Sequence, residues 1–142
     1  MPVYLLDTDH MSLLERGGAE GQRIRERLRS VPPDDVATTI VSYDEQSRGR
    51  SATVAKASTA EKQIAAYRWL SRLLLSYCII AVADFDERAA AEFNRLRSAG
   101  VRIGTMDLRI ASIALANGAI LLSRNLSHFR RVPGLRVEDW SA

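Results

Sequence analysis

Three acidic residues far apart in the chain, Asp7, Glu45 and Asp107, stand where strands are expected to give way to helices. Asp7 closes the apolar run Val3-Tyr4-Leu5-Leu6. Glu45 sits on the first turn after a second β-branched run, and Asp107 opens a helix that leads into a later strand. All strands of a parallel sheet end on one edge, and open α/β sheets bind ligands there. Asp7 and Glu45 can therefore meet at that edge, and Asp107 joins them if its helix N-terminus faces the same way. Clustered carboxylates repel one another by several kcal/mol unless a cation neutralises them. Oxygen donors with no nearby Cys or His set select a hard ion such as Mg²⁺ or Mn²⁺. Such an ion lowers the pKa of bound water and stabilises charge on a phosphoryl oxygen, which is the chemistry of phosphodiester hydrolysis.

Each acid also has a plainer use. Asp7 could start a turn or cap a helix. Glu45 follows Ser42 by three residues, so Ser42-Tyr43-Asp44-Glu45 reads as a capping box. Asp107, two residues after Thr105, could complement a helix dipole. Taken one at a time, these uses account for Glu45 and Asp107, and only the joint placement of the three argues for a site.

The elements that must position these residues alternate. Val3 to Leu6 is apolar enough for a strand buried on both faces. Thr8 or Asp9 then caps a helix reaching about Leu14, ended by Gly17-Gly18. A helix from about Glu20 to Arg29 carries Arg23, Arg25, Arg27 and Arg29, a stripe that is either a solvated face or a substrate-facing one. Val31 to Asp35 is a proline-bearing loop, and Val36 to Val41 is the second strand. A helical region runs from about Ser42 into the mid seventies with a break near Gly49 to Ala52. In its second half Ile64, Tyr67, Leu70, Leu74 and Tyr77 form a stripe for a core or a partner. Ile79 to Val82 is the third strand and Asp84 to Ala99 a helix closed by Gly100. Thr105 to Asn117 is a helix with Gly118 at its end, and Ala119 to Leu122 is the fourth strand. A turn at Ser123-Arg124-Asn125, a short helical piece around Phe129 and a last strand near Leu135 to Val137 follow. This succession predicts an α/β fold of three α/β/α layers, with a central, mostly parallel sheet of four to five strands.

At 142 residues and 46% hydrophobic composition, the chain reads as one domain over residues 1–142. The lone Cys78 excludes a disulfide framework and a Cys-rich metal site, and is expected to fill core. With no leader and no apolar run near the length of a membrane span, a cytoplasmic protein without a membrane partner is expected. The net charge is +3, and all 20 basic residues except Lys56 and Lys62 are arginine. Arginine binds phosphate bidentately and stacks on bases, so this balance is compatible with a nucleic-acid partner; an arginine-biased genome would produce it too.

The segments carrying the acids resemble PIN-domain ribonucleases of the VapC toxin type. Tyr4-Leu-Leu-Asp-Thr-Asp-His10 is similar to that family's opening strand and first acid, and Thr39 to Gly49 to its second. Ile103-Gly-Thr-Met-Asp-Leu-Arg-Ile-Ala111 is similar to its third. Leu122 to Phe129, with Val132 to Leu135 and Val137 to Trp140, resembles its C-terminal end. The resemblance, which runs nearly end to end, implies a PIN-like fold and an Mg²⁺- or Mn²⁺-dependent endoribonuclease, the toxin of a type II toxin–antitoxin module. It implies that Asp7, Glu45 and Asp107 bind the metal and position the attacking water. The family's fourth acidic position falls on Asn125, which can hydrogen-bond but adds no charge and so puts a second metal in question. Ser123 stands where the family often has threonine. Thr8 and Ser42 would support the pocket. The implied partners are an RNA substrate, a small VapB-like antitoxin and a second copy in a homodimer. The Arg23 to Arg29 run, with Arg48 and Arg50, then becomes a set of candidate phosphate contacts.

Two other readings compete. Asp7-Thr8-Asp9 after a buried strand also resembles the nucleophile motif of haloacid-dehalogenase-type phosphatases, but Met11 stands where that motif wants Thr or Val. A non-catalytic RNA- or protein-binding scaffold of PIN-like fold takes support from Asn125. His10, three residues beyond Asp7, could touch substrate or act as a base, and His128 precedes a Phe129 expected to be buried.

Overall fold

The computed structural model describes residues 1–142. Five parallel strands form one sheet in the order β3-β2-β1-β4-β5, where β1 is Tyr4–Leu6, β2 Val36–Thr39, β3 Ala81–Ala83, β4 Ile120–Leu122 and β5 Val137–Glu138. Helices α1 (Thr8–Arg16), α2 (Gly18–Arg29), α3 (Ile40–Lys56), α4 (Ala60–Cys78), α5 (Glu87–Ser98), α6 (Thr105–Asn117) and α7 (Leu126–Phe129) connect the strands. The expected three-layer α/β architecture is present, with every strand pair parallel.

The period of two along the strands sorts the core into two layers. Leu5 and Leu121, side by side in the β1–β4 register, face one way and pack with Ala37, Leu96, Ile110, Ile113 and Phe129 under α5 and α6. Leu6 and Leu122 face the other way, against Met11, Leu13 and Ile24 of α1 and α2 and against Trp140. Each such buried side chain contributes roughly 1.5–3 kcal/mol. This two-sided burial keeps β1 and β4 rigid at the sheet centre, where their C-terminal ends carry Asp7 and Ser123. Close packing fixes α2 on α1 at Gly21, where a Cβ would collide with the Leu13 carbonyl. Gly118 ends α6 in the left-handed conformation, φ 61°, which a glycine adopts without steric cost.

Several boundaries differ from the sequence reading. The second strand stops at Thr39 instead of Val41, because the Thr39 side chain accepts from the Ser42 N–H and starts α3 at Ile40. The helical break falls at Ala57 to Thr59, not at Gly49 to Ala52. Thr59 caps α4 by accepting from Lys62 N–H, and Gly49 is simply carried inside α3. The third strand begins at Ala81, and Ile79 before it is 88% exposed. Cys78 is exposed and does not fill core. On α4 only Ala66 and Leu73 are buried, while Ile64, Tyr67 and Leu74 of the apolar stripe, with Leu75, face outward. No helix is long and apolar enough to cross a membrane.

Candidate active site

Asp7 is placed by the sheet and by the helix it starts. Its N–H donates to Leu122 O at 3.0 Å, and its Oδ1 accepts from His10 N–H at 2.8 Å. Asp7 itself is thus the cap of α1, in place of Thr8 or Asp9. One carboxylate oxygen serves the helix, and Oδ2 is left without a protein donor.

Glu45 is not part of a capping box. With Thr39 as the α3 cap, Ser42 lies in the first turn and Glu45 a turn further on. The Thr8 hydroxyl, 2.5 Å from Glu45 Oε1, donates to it and also stands 3.2 Å from the Ser42 hydroxyl. Buried Ser42 is held in turn by Thr39, their hydroxyls 3.1 Å apart. A short relay of hydroxyls from two helix starts therefore aims Glu45.

Asp107 sits in the first turn of α6 behind Gly104, whose lack of a side chain leaves the helix without a side-chain cap. His128 Nε2 is 3.1 Å from its Oδ2. Burial pushes the Asp107 carboxyl above the usual range, and the charges of Glu45 and Asp7 push it the same way; His128 opposes them. The three acids thus disfavour one another's charge, as carboxylates lining one cavity do.

Asp7, Thr8, Glu45, Asp107 and Asn125 line one cavity of about 600 Å³ at the strand C-termini, with Asp9, Ser12, Arg124 and Phe129. Ser123 lies beneath it, buried, its Oγ accepting Asn125 N–H at 3.0 Å. As the side chains stand, no three acidic, histidine or cysteine groups draw close enough to surround one ion. Thr8 holds Glu45 and His128 holds Asp107, and an ion would compete with both contacts. The donor set is carboxylate oxygen with supporting hydroxyl and amide, which fits Mg²⁺ or Mn²⁺ and offers nothing to a soft metal.

Two site residues, Arg124 and His128, escaped the sequence reading as such. Arg124 is the only cation lining the cavity. It forks onto Asp9 at 2.6 and 3.1 Å and reaches Glu20 at 2.6 Å, so Asp9 is an ion-pair partner, not the cap of α1. His128 could have been found from its position one helical turn after Asn125. His10, in contrast, is fully buried. Its Nε2 accepts Trp140 N–H at 3.2 Å and its Nδ1 lies 3.5 Å from Asp7 Oδ1, so it neither touches substrate nor acts as a base.

The arginine run is also redirected. Arg23 donates to Ser141 O and Arg27 to Asp139 O, and Arg27 lies over the Trp140 ring, fastening the C-terminal segment. Arg50 is 3% exposed and forks onto Glu15 at 2.9 Å while donating to Trp69 O. It is a buried tie between helices and unavailable to a phosphate.

An all-parallel sheet with a carboxylate-lined cavity at its C-terminal edge defines an open-sheet α/β protein whose site lies where such sheets bind ligands. The PIN domain model matches residues 4–135, and the chain belongs to the PIN domain family. Among its relatives, the tRNA(fMet)-specific endonuclease VapC of Salmonella typhimurium is 34% identical over 85 residues, which span 57% of this chain and 64% of that protein. The Shigella flexneri protein of the same name is 39% identical over a stretch spanning half its own length. Ribonuclease VapC1 of Haemophilus influenzae is 26% identical over 98% of both chains. Among solved structures, DNA-bound VapBC from Salmonella typhimurium superposes with a TM-score of 0.80 at 25% identity over 99% of both chains. VapBC-1 from nontypeable Haemophilus influenzae superposes at 0.74 and 26% over 98% of both. Membership in this family leaves the aspartyl-phosphate reading without support.

Proposed function

We propose that the chain is a metal-dependent endoribonuclease that hydrolyses RNA phosphodiester bonds as the toxin of a type II toxin–antitoxin module in the cytoplasm. The observation that carries this reading is the convergence of Asp7, Glu45 and Asp107, from three distant segments, on one cavity at the sheet's C-terminal edge. The ribonuclease names of its relatives and the toxin–antitoxin complexes among its structural neighbours support it.

In this reading Asp7, Glu45 and Asp107 hold Mg²⁺ or Mn²⁺. When bound, the ion supplies a more acidic water and neutralises charge developing on the phosphoryl oxygens. The chain's own residues do the positioning. Thr8 aims Glu45, His128 favours the ionised form of Asp107, and the Asp7 cap fixes one oxygen so that the other faces the cavity. Asn125, oriented from Ser123, offers an uncharged hydrogen-bonding amide to a phosphate oxygen. Arg124 keeps a positive charge at the rim of an otherwise acidic cavity.

The partners follow from surface chemistry. An apolar trough of about 540 Å³ lined by Met11, Leu14, Leu28, Val36 and Ile80 suits the apolar face of an antitoxin helix. The outward apolar face of α4 gives a second copy a surface to cover.

The test is direct. Antitoxin-free protein is incubated with total RNA in Mg²⁺, Mn²⁺ or EDTA, and new 5′ ends are mapped. Discrete metal-dependent cuts that vanish in Asp7→Asn are expected; equal RNA decay by that variant overturns the reading. RNA binding without any cuts in either metal would favour the scaffold, for which uncharged Asn125 is the specific observation.

A further inference from the structure

Beside the acidic cavity runs a second groove of about 590 Å³, between α5, the loop that follows it and the start of α6. Phe93, Arg97, Arg102, Thr105 and His128 are among its lining, which contains no Asp or Glu. One contact and one close approach join it to the acids. His128 forms part of its wall and pairs with Asp107, and a Cβ on Gly104 in its floor would stand 4.0 Å from Asp107 Oδ2.

Several arginines elsewhere are tied to partners, while others, Arg68 and Arg72 of α4 among them, are as free as those of the groove. What marks the groove is its place beside the acids and its Phe93 ring. Arg23, Arg27, Arg50 and Arg124 are committed to carbonyls or carboxylates, and Arg48 and Arg95 to surface ion pairs. Arg97 and Arg102 are exposed and carry no such partner. Arg97 lies over the half-buried Phe93 ring at 5.5 Å, with Arg109 also near that ring at 5.9 Å.

We infer that this groove carries the RNA strand next to the cut phosphate, with Arg97 and Arg102 as its phosphate contacts. The inference rests on the nuclease reading for its orientation toward the acids. Uncommitted guanidinium groups bind backbone phosphate without regard to sequence. A groove free of acids, adjoining a cavity full of them, separates the polyanion's charge from the carboxylates while leaving one phosphate at the junction. An aromatic ring dressed by arginines is a surface on which bases stack in single-strand binders.

The experiment measures anisotropy of a fluorescein-labelled single-stranded RNA of about 20 nucleotides, a length that covers one or more single-strand binding sites, in EDTA over a salt series. Arg97→Gln with Arg102→Gln is expected to weaken binding on the order of tenfold and to flatten log K against log salt by about 1.4, at ~0.7 per single-strand phosphate contact. Arg68→Gln with Arg72→Gln on α4, an equal loss of charge, is expected to stay within about twofold of wild type. Arg97→Lys with Arg102→Lys restores the slope, because an ammonium still displaces a counterion.

Wild-type affinity and slope in the glutamine pair overturn the groove and leave the nuclease reading standing. Conversely, a wild-type chain that binds RNA through these arginines yet never cuts in Mn²⁺ overturns the nuclease reading and upholds the groove. A glutamine pair that binds RNA normally but changes from dimer to monomer in light scattering overturns the groove in favour of a contact between copies.

Discussion

His128 Nε2 stands 3.1 Å from Asp107 Oδ2, so an imidazole from the short helix after β4 faces the most perturbed carboxyl of the acidic cavity. Burial raises the Asp107 pKa, the Glu45 and Asp7 charges add to the rise, and His128 pulls it down. Activity through Asp107 needs its ionised form, which is present above the folded pKa and lost as pH falls through it. His128→Ala removes the opposing influence, so the acid limb of the pH–rate profile moves to higher pH. The measurement is kcat/KM from pH 5 to 9. A loss of equal size at every pH would show that His128 acts in some other way.

Asp7 has two separable duties, one oxygen on the α1 cap and one toward the cavity. Asn and Asp cap helices about equally well, whereas Ala in that position costs about 1 kcal/mol. Asp7→Asn is therefore expected to keep the wild-type melting temperature while losing roughly 100-fold or more of RNA cleavage, the scale of removing a metal-site group. Asp7→Ala loses both. Should Asp7→Asn melt as early as Asp7→Ala, the cap assignment fails.

The Thr8 hydroxyl contact with Glu45 predicts a split between two conservative replacements. Thr8→Val keeps the shape and drops the donor, with an expected loss of about tenfold in kcat/KM, typical of groups that orient a site's ligands. Thr8→Ser keeps the donor and most of the activity. Equal rates for all three proteins would remove Thr8 from the positioning relay.

Sequence made the strand–helix alternation and the three acids readable because both depend on local signals. An apolar run ending in aspartate marks a buried strand edge, and parallel topology brings such edges together. What local signals could not give was the partner of each polar side chain. Ser42 and Glu45 have capping-box spacing, yet Thr39, three residues earlier, offers the same oxygen to Ser42 N–H and wins because β2 ends there. Arg50 reads as a free cation beside Arg48, and only the packing of α1, α3 and α4 puts Glu15 within reach. His10 adjoins an acid in sequence, but its ring is covered by Trp140 from the other end of the chain. His128 reaches Asp107 only through the α6 and α7 placements, which no short window contains.

Arg50 gives a stability prediction opposite to its expected role. Its guanidinium is 4% exposed in the side chain and forks onto Glu15, and it also stacks 4.6 Å from the Trp69 ring. Removing one partner of a buried pair strands the other and costs about 3–5 kcal/mol. Arg50→Ala is expected to lower the unfolding free energy, read from denaturant melts, by that much without altering the salt dependence of RNA binding in the fraction that remains folded. A stable variant with a flattened salt slope would return Arg50 to the set of phosphate contacts.

Asp107 links stability to the ion. Its folded pKa is raised, so the folded state holds the proton more tightly than the unfolded chain does. The stability this gives is present below the unfolded pKa and is lost as pH rises through the folded one, above which metal-free protein holds an ionised carboxylate in unfavourable surroundings. Asp107→Asn removes that charge and is expected to raise the melting temperature of metal-free protein slightly at pH 7.5, the gain being small because the carboxylate is 36% exposed and screened by solvent. The gain shrinks toward acid pH, where wild-type Asp107 is protonated as well. Mn²⁺ reverses the ranking, because an ion bound only by the folded state adds about 2.7 kcal/mol at one hundred times its Kd, and the variant lacks a ligand. Thermal scans of both proteins at pH 5 and 7.5, with Mn²⁺ or EDTA, check each arm. A wild-type melting temperature indifferent to Mn²⁺ at millimolar concentration would mean that the carboxylates tolerate one another without an ion, and the case for a metal-dependent site would lose its electrostatic basis.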